Sequence, residues 1–175
     1  GSDHGPFVIP TYFKPKQEDA TLGIVEYVDW SVRKFLQMAA KKPWFDNTVF
    51  VFLADHGSSL DKRYDMPLSY LHSPLIIYAP KLLGEPKNYP NLGSQVDVFP
   101  TIMGLLKLPY VNNTYGIDLF RESRPFACAY ADDKFAVLNT EYMFVSRENG
   151  VTSLYNYRKG DVKDYSKDLP VLREA

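Results

Sequence analysis

The stretch Val49-Phe50-Val51-Phe52-Leu53-Ala54-Asp55-His56-Gly57 constrains this chain more than any other. An unbroken apolar run, rich in β-branched and aromatic residues, ends abruptly in a carboxylate, an imidazole and a glycine. Such a run predicts a strand buried on both faces, the kind found inside a parallel sheet. In open α/β sheets ligands bind just beyond the carboxyl ends of strands, where Asp55 and His56 fall. A hard oxygen donor beside an imidazole nitrogen suits Zn²⁺ or Mn²⁺. The competing reading is a polar turn leaving a strand, because Asp and Gly both favour turns.

At 175 residues the chain is long enough for one domain with a sizeable core. A net charge of −1 offers no basic surface for nucleic acid. The 13 Tyr and 11 Phe are scattered, so no stacking platform is implied. Cys128 is the only cysteine, which excludes an intrachain disulfide and a cysteine-based metal cluster. Its neighbours Phe126-Ala127 and Ala129-Tyr130-Ala131 predict a small buried hydrophobe rather than a nucleophile. No apolar run is long enough to span a membrane, and no signal peptide is visible. The chain opens at Gly1-Ser2-Asp3-His4 without Met, which reads as a piece of a longer protein.

Pro6, Pro10 and Pro15 keep residues 3–18 extended. Between Asp19 and Lys42, Leu22, Val25, Val28, Val32, Phe35, Leu36 and Ala39 recur at spacings of three and four. That predicts an amphipathic helix with Asp19 as N-cap and Pro43 beyond its end. Residues 57–73 read as a long polar loop, of the length typical of lids and binding loops. Leu75–Ala79 reads as a second buried strand stopped by Pro80, followed by a Pro- and Gly-rich connection to Gly93. Asp97 reads as the N-cap of a second helix carrying Ile102, Leu105 and Leu106, with Pro100 in its first turn and Pro109 past its end. Four short strands then follow, Phe126–Ala131, Phe135–Leu138, Tyr142–Ser146 and Ser153–Tyr157, with turns at 139–141 and at Glu148-Asn149-Gly150. The expected fold is therefore α/β over residues 1–125, closed by an antiparallel meander over 126–160.

The three histidines, His4, His56 and His72, all fall at loop or strand-edge positions. If the two sheet strands were parallel neighbours, His72 would enter at the end opposite His56 unless the loop before it folds back. Lys62 and Arg63 could meet an anion from the long loop, although a solvated charge cluster is the commoner arrangement. Asp97 reads as a cap rather than a ligand, and Asp132-Asp133 as a turn. The Asn112-Asn113-Thr114 sequon is given no role. Neither a phosphate-binding Gly-rich loop nor a Gly-x-Ser-x-Gly elbow occurs. Ser58 and Ser59 follow Asp-His-Gly without a clearly placed second histidine as base. Asp55 and His56 give two ligands, where a catalytic zinc takes three.

In order, Ser2-Asp3-His4-Gly5-Pro6-Phe7, the long helix, Thr48 to Gly57, His72-Ser73-Pro74-Leu75-Ile76-Ile77-Tyr78-Ala79-Pro80, Ser94 to Ile102, Gly116-Ile117-Asp118-Leu119-Phe120 and Ser153-Leu154-Tyr155-Asn156 form a recognisable series. The series resembles the C-terminal half of a catalytic domain from the sulfatase branch of the alkaline-phosphatase superfamily, nearest to lipoteichoic-acid-synthase-like phosphoglycerol transferases. The resemblance implies a partial alkaline-phosphatase-like sandwich, with mostly parallel strands flanked by helices before the meander. It implies a divalent metal (Mn²⁺, Mg²⁺, Zn²⁺ or Ca²⁺) on Asp55 and His56, with His4 at the substrate's phosphoryl group and His72 lining the pocket. The substrate would be a phosphate or sulfate ester, lipid- or glycan-linked. The nucleophile (Thr, or formylglycine) lies upstream in such proteins, so the chain alone is expected to be inactive and its parent an enzyme. That parent would act outside the cytoplasm, anchored to a membrane. Half a domain would also leave open sheet edges and self-associate. The alternatives are a binding or accessory module that keeps the fold, and a self-contained hydrolase using Ser58 or Ser59.

Overall fold

The computed structural model describes residues 8–168. His4 therefore lies outside the described residues. The described residues divide into two compact units, one of residues 8–52 with 76–86, the other of 53–75 with 87–168.

The first unit is built on helix α1 (Ala20–Ala39), whose N-cap is Asp19, as the sequence predicts. The Asp19 carboxylate accepts the Leu22 N–H at 2.9 Å, satisfying a donor that the first helical turn cannot. Ile24 and Ala39 are buried, but Leu22, Val25 and Phe35 of the expected apolar stripe are exposed. Strands β1 (Phe50–Leu53) and β2 (Leu75–Tyr78) pair as a two-stranded sheet. Phe50 is ringed by Phe35, Phe45 and Tyr78 with centroids 5.5–6.1 Å away. The expectation of strands buried on both faces is corrected here. Burial alternates along each strand, and Val51, Leu53, Ile76 and Tyr78 are exposed. The apolar run follows the demands of a sheet covered on two sides, whereas these elements cover one. Past β2, Pro80 opens a short helix α3 (Pro80–Leu83) at the first helical position, where its missing N–H is harmless.

The second unit contains α2 (Leu68–Leu71), α4 (Val98–Leu106) and a meander of β3 (Ala127–Ala131), β4 (Lys134–Leu138), β5 (Tyr142–Arg147) and β6 (Thr152–Asn156). The four strands pair antiparallel in chain order, with Ala136 opposite Val145 and Met143 opposite Tyr155. Turn chemistry sets the register. Asp132 and Gly150 take positive φ, the conformation that tight hairpin turns require. The core of this unit joins Ala136, Met143 and Val145 of the meander to Tyr64 and Met66.

Tyr64 and Met66 correct the reading of residues 57–73 as a polar loop, because both lie in the core of this unit. The segment is a strap pinned to the far end of the chain. Tyr64 Oη donates to the Asp161 carbonyl at 2.7 Å, and its ring lies 4.9 Å from that of Tyr155. Arg147 reaches Asp65 at 2.7 Å, and Arg63 is held by Asp61 and the Gly160 carbonyl. Arg63 is thereby committed to structure rather than to an anion. Cys128 is also corrected: it is exposed, on the outer face of the edge strand β3. Asn112 braces its own loop, donating to the Gly116 carbonyl at 2.8 Å and accepting from Thr114.

Asp97 does stand before α4, but its side chain does not cap that helix. It closes a capping box with Ser94 around the 3₁₀ turn Gln95–Asp97. It also accepts the Ile117 N–H at 2.9 Å and receives both arms of the Arg124 guanidinium. The carboxyl is fully buried. Burial pushes its pKa up, but Arg124 and the Ile117 and Ser94 N–H groups outweigh this and hold it below the usual carboxylate range. An acid so committed is an internal brace, not a ligand.

Candidate metal centre

The turn Ala54–Gly57, directly after β1, carries both candidate ligands. Asp55 Oδ1 accepts the His56 N–H at 2.9 Å, which orients the carboxylate. Asp55 Oδ2 then lies 3.9 Å from His56 Nε2. The other ring nitrogen, Nδ1, meets the Gly57 carbonyl at 2.7 Å. A carbonyl can only accept, so Nδ1 carries the proton in this contact. In the neutral ring Nε2 is then the basic atom, the tautomer that metal-bound histidines adopt. Stacking on Tyr70, with centroids 4.6 Å apart and planes at 24°, fixes the ring orientation.

Gly57 has a steric reason to be glycine. Its N–H donates to the Tyr70 carbonyl at 2.8 Å, drawing α2 against the turn. A Cβ there would lie 2.1 Å from the Ser69 carbonyl oxygen. Two further side chains fasten the turn. Ser73 Oγ donates to the Ala54 carbonyl at 3.1 Å and accepts its N–H at 3.2 Å. Gln95 Nε2 donates to the carbonyls of Ala54 and Asp55 at 3.0 and 2.7 Å. Ser73, Gln95 and Tyr70 were not singled out from the sequence. Ser73 and Gln95 stand inside the segments that carry the family resemblance, which was the available signal.

The contacts also settle which end of β2 faces the turn. Ser73, just before β2, sits at Ala54, just after β1, while Tyr78 at the end of β2 packs on Phe50 at the start of β1. The two strands thus run in opposite senses, and His72 enters at the same end as His56. His72 is exposed and caps α2 through its backbone N–H, which donates to the Leu68 carbonyl at 2.8 Å. Lys62 is exposed on the strap, and Asp132-Asp133 forms the β3–β4 turn.

The Asp55–His56 pair passes an elementary fit test. Ligand atoms of one zinc or similar ion lie about 2.0–2.2 Å from it, so two of them can be at most about 4.4 Å apart. The 3.9 Å separation satisfies that bound. Among the described residues no group of three or more His, Cys, Asp or Glu side chains converges. The side chain of Asp55 is 85% exposed and that of His56 37%, so the pair faces outward.

Comparison with known proteins identifies the family of the chain. The Sulfatase family model matches residues 2–108. Lipoteichoic acid synthase-like YvgJ of Bacillus subtilis is 25% identical over 169 residues, covering 86% of this chain and 26% of that protein. A protein of the alkaline phosphatase superfamily from Vibrio parahaemolyticus superposes with a TM-score of 0.79 at 21% identity, over 91% of this chain and 40% of that one. BT4656, solved with D-glucosamine-2-N,6-O-disulfate, superposes with a TM-score of 0.65 at 17% identity, over 89% of this chain and 38% of that one. The chain spans about a quarter of the curated relative it matches. With the family model covering more than half of its residues, the chain belongs to the Sulfatase family.

Proposed function

We propose that this chain is the C-terminal part of a metal-dependent enzyme that cleaves or transfers phosphate or sulfate esters. The observation that carries the reading is the 3.9 Å approach of Asp55 Oδ2 to His56 Nε2, with the tautomer set by the Gly57 carbonyl. In this reading Asp55 and His56 hold one divalent cation (Mn²⁺, Mg²⁺, Zn²⁺ or Ca²⁺), and further ligands come from outside the described residues. When bound, the ion lowers the nucleophile's pKa and neutralises charge on the transferring group. The protein's own part is orientation. Gly57 and Tyr70 lock the imidazole, while Ser73 and Gln95 hold the backbone that presents the carboxylate. In this reading His72 would help line the substrate pocket, and His4 would contact the substrate's anionic oxygens.

The nucleophile, Thr or formylglycine, belongs to the longer protein, and the 175 residues alone are inactive. YvgJ favours a phosphoglycerol transferase-like parent, and the disulfated glucosamine complex of BT4656 favours a sulfatase. In either case the substrate is lipid- or glycan-linked and the parent acts outside the cytoplasm, tethered to a membrane. Among the described residues no helix is long and apolar enough to cross one. The second reading, an accessory module without chemistry, draws support from the convergence of only two donors among the described residues.

The deciding measurement is calorimetric titration of the chain with Zn²⁺ and Mn²⁺, beside Asp55→Asn and His56→Ala. One saturable site that either substitution weakens at least tenfold is expected. Equal heats for all three proteins would leave the accessory-module reading standing.

A further inference from the structure

The turn that carries Asp55 is tied to a buried ion pair through one glutamine. Gln95 Nε2 donates to the carbonyls of Ala54 and Asp55 at 3.0 and 2.7 Å. These carbonyls lie in the two peptide planes that flank the Asp55 Cα. Peptide units are rigid, so fixing both planes fixes φ and ψ of Asp55. Its side-chain torsions then remain, and the His56 N–H, 2.9 Å from Oδ1, sets those. Gln95 thereby governs, through the backbone, where the Asp55 carboxylate points.

Gln95 itself is exposed, and a long amide side chain in water samples many rotamers. What aims it is the backbone from which it springs. Gln95 opens the 3₁₀ turn Gln95–Asp97, with Ser94 just before it. The Asp97 carboxylate accepts the Ser94 N–H at 2.7 Å, and the Asp97 N–H donates to the Ser94 carbonyl at 2.9 Å. That carboxylate is held in turn by the Ile117 N–H at 2.9 Å and by Arg124 Nε at 2.9 Å, with Arg124 Nη2 on the other oxygen. Arg124 Nη2 also donates to the Tyr115 carbonyl at 2.8 Å, which anchors the guanidinium at a second point. The pair is nearly sealed from water, with the Asp97 side chain 0% and the Arg124 side chain 14% exposed. A planar fork on a carboxylate fixes direction as well as charge, which an ammonium does not.

We propose that Arg124 is a positioning residue for the metal ligand Asp55, acting through Asp97 and Gln95. The fork sets the Asp97 carboxylate, the carboxylate sets the 3₁₀ turn, and the turn aims the Gln95 amide at the two carbonyls beside Asp55. The role of this link at a metal rests on the reading of Asp55 and His56 given above. The link from Arg124 to the turn stands on the hydrogen bonds alone.

The link is read in the ¹⁵N-labelled chain by the Gln95 side-chain amide and the His56 backbone amide, and by calorimetry with Zn²⁺. In the wild type the two Gln95 amide protons should resonate away from the free-amide position and exchange slowly, since both are hydrogen-bonded. Gln95→Met keeps the length of the side chain and removes its donors. It should shift the His56 amide and weaken Zn²⁺ about tenfold, the loss typical of groups that orient a metal ligand. Arg124→Lys keeps the charge and removes the fork. It should move the Gln95 amide toward the free position and weaken Zn²⁺ about threefold, within the range of coupled contacts. In the Gln95→Met background Arg124→Lys should cost no further affinity, because the link is already cut. A fall in stability alone would lower affinity equally in both backgrounds. A Gln95 amide at the free position in the wild type, or unmoved in Arg124→Lys, would overturn the proposal. So would unchanged Zn²⁺ affinity in Gln95→Met, or a full second loss in the double variant. The first of these needs only the wild type, so the test survives an Arg124→Lys that folds poorly. A chain that binds no Zn²⁺, yet whose Gln95 amide responds to Arg124→Lys, would uphold the link and remove only its role at a metal.

Discussion

Gly57 shows how much one residue decides at this site. Its missing side chain lets the Ser69 carbonyl come within 2.1 Å of the place a Cβ would take. The obstructing atom is backbone, so it cannot rotate away. Gly57→Ala should therefore push α2 off the turn, at a cost of about 1–3 kcal/mol. Urea unfolding reads that loss. Zn²⁺ titration should show weaker binding too, because Tyr70 would no longer brace His56. An unchanged midpoint with unchanged affinity would mean that the turn does not depend on α2. Asp97 makes the electrostatic counterpart. Burial raises its pKa, but Arg124 and two N–H groups hold it below normal, so its folded value lies under the unfolded value of about 3.9. That stabilisation is fully present above pH about 4 and is lost as pH falls through the folded pKa. Wild-type stability should decline below pH about 4. In Asp97→Asn the decline should flatten and neutral-pH stability should drop by about 3–5 kcal/mol, since Arg124 loses its partner. Urea midpoints measured from pH 3 to 7 check both parts, and parallel pH profiles would count against the assignment.

Among the elements, what was legible in the sequence is what is decided locally. The Asp19 cap, the helix after it and the four meander strands with their turns depend on neighbours a few residues away. The strap was misread because its anchors are distant: Tyr64 bonds to Asp161, 97 residues further on. Two apolar residues in a charged run carry no periodicity, so nothing local marks Tyr64 and Met66 as core. The site was legible only in part for a similar reason. Asp55 and His56 stand out by type, but the Ser73 and Gln95 clamps act from 19 and 40 residues away. If the strap is anchored as described, Met66→Ala should cost about 2–5 kcal/mol by leaving a core cavity. Limited proteolysis should then cut between residues 58 and 67, where the wild type resists. Rapid cutting of both proteins would restore the lid reading.

For the whole molecule the open question is what its exposed apolar side chains do in water. On α1, Leu22 (52%), Val25 (57%), Phe35 (46%) and Met38 (59%) are exposed, although this helix has the apolar spacing of a buried one. The Vibrio parahaemolyticus relative matches nearly all of this chain with only 40% of its own length. These side chains spread around more than half of the helix circumference, and exposed apolar area of this kind favours association with another copy. Four such side chains on each of two copies, already about half buried, yield about 6–12 kcal/mol when covered, at about half of 1.5–3 each. Association costs about 4–15 kcal/mol in lost freedom. A net gain of about 5 kcal/mol lies within these ranges and corresponds to a Kd on the order of 100 μM, so self-association should be weak and should appear only as concentration rises toward about 100 μM. Sedimentation velocity across about 1–200 μM should show the average mass rising, and a double substitution, Val25→Glu with Met38→Lys, should hold it at the monomer. Both positions are solvent-facing, so the variant should keep the helix, which circular dichroism verifies. A wild-type chain that stays monomeric over the whole range would show that this exposed apolar area is tolerated in water. The expectation of self-association would then fall, while the family assignment and the proposed metal site would be untouched.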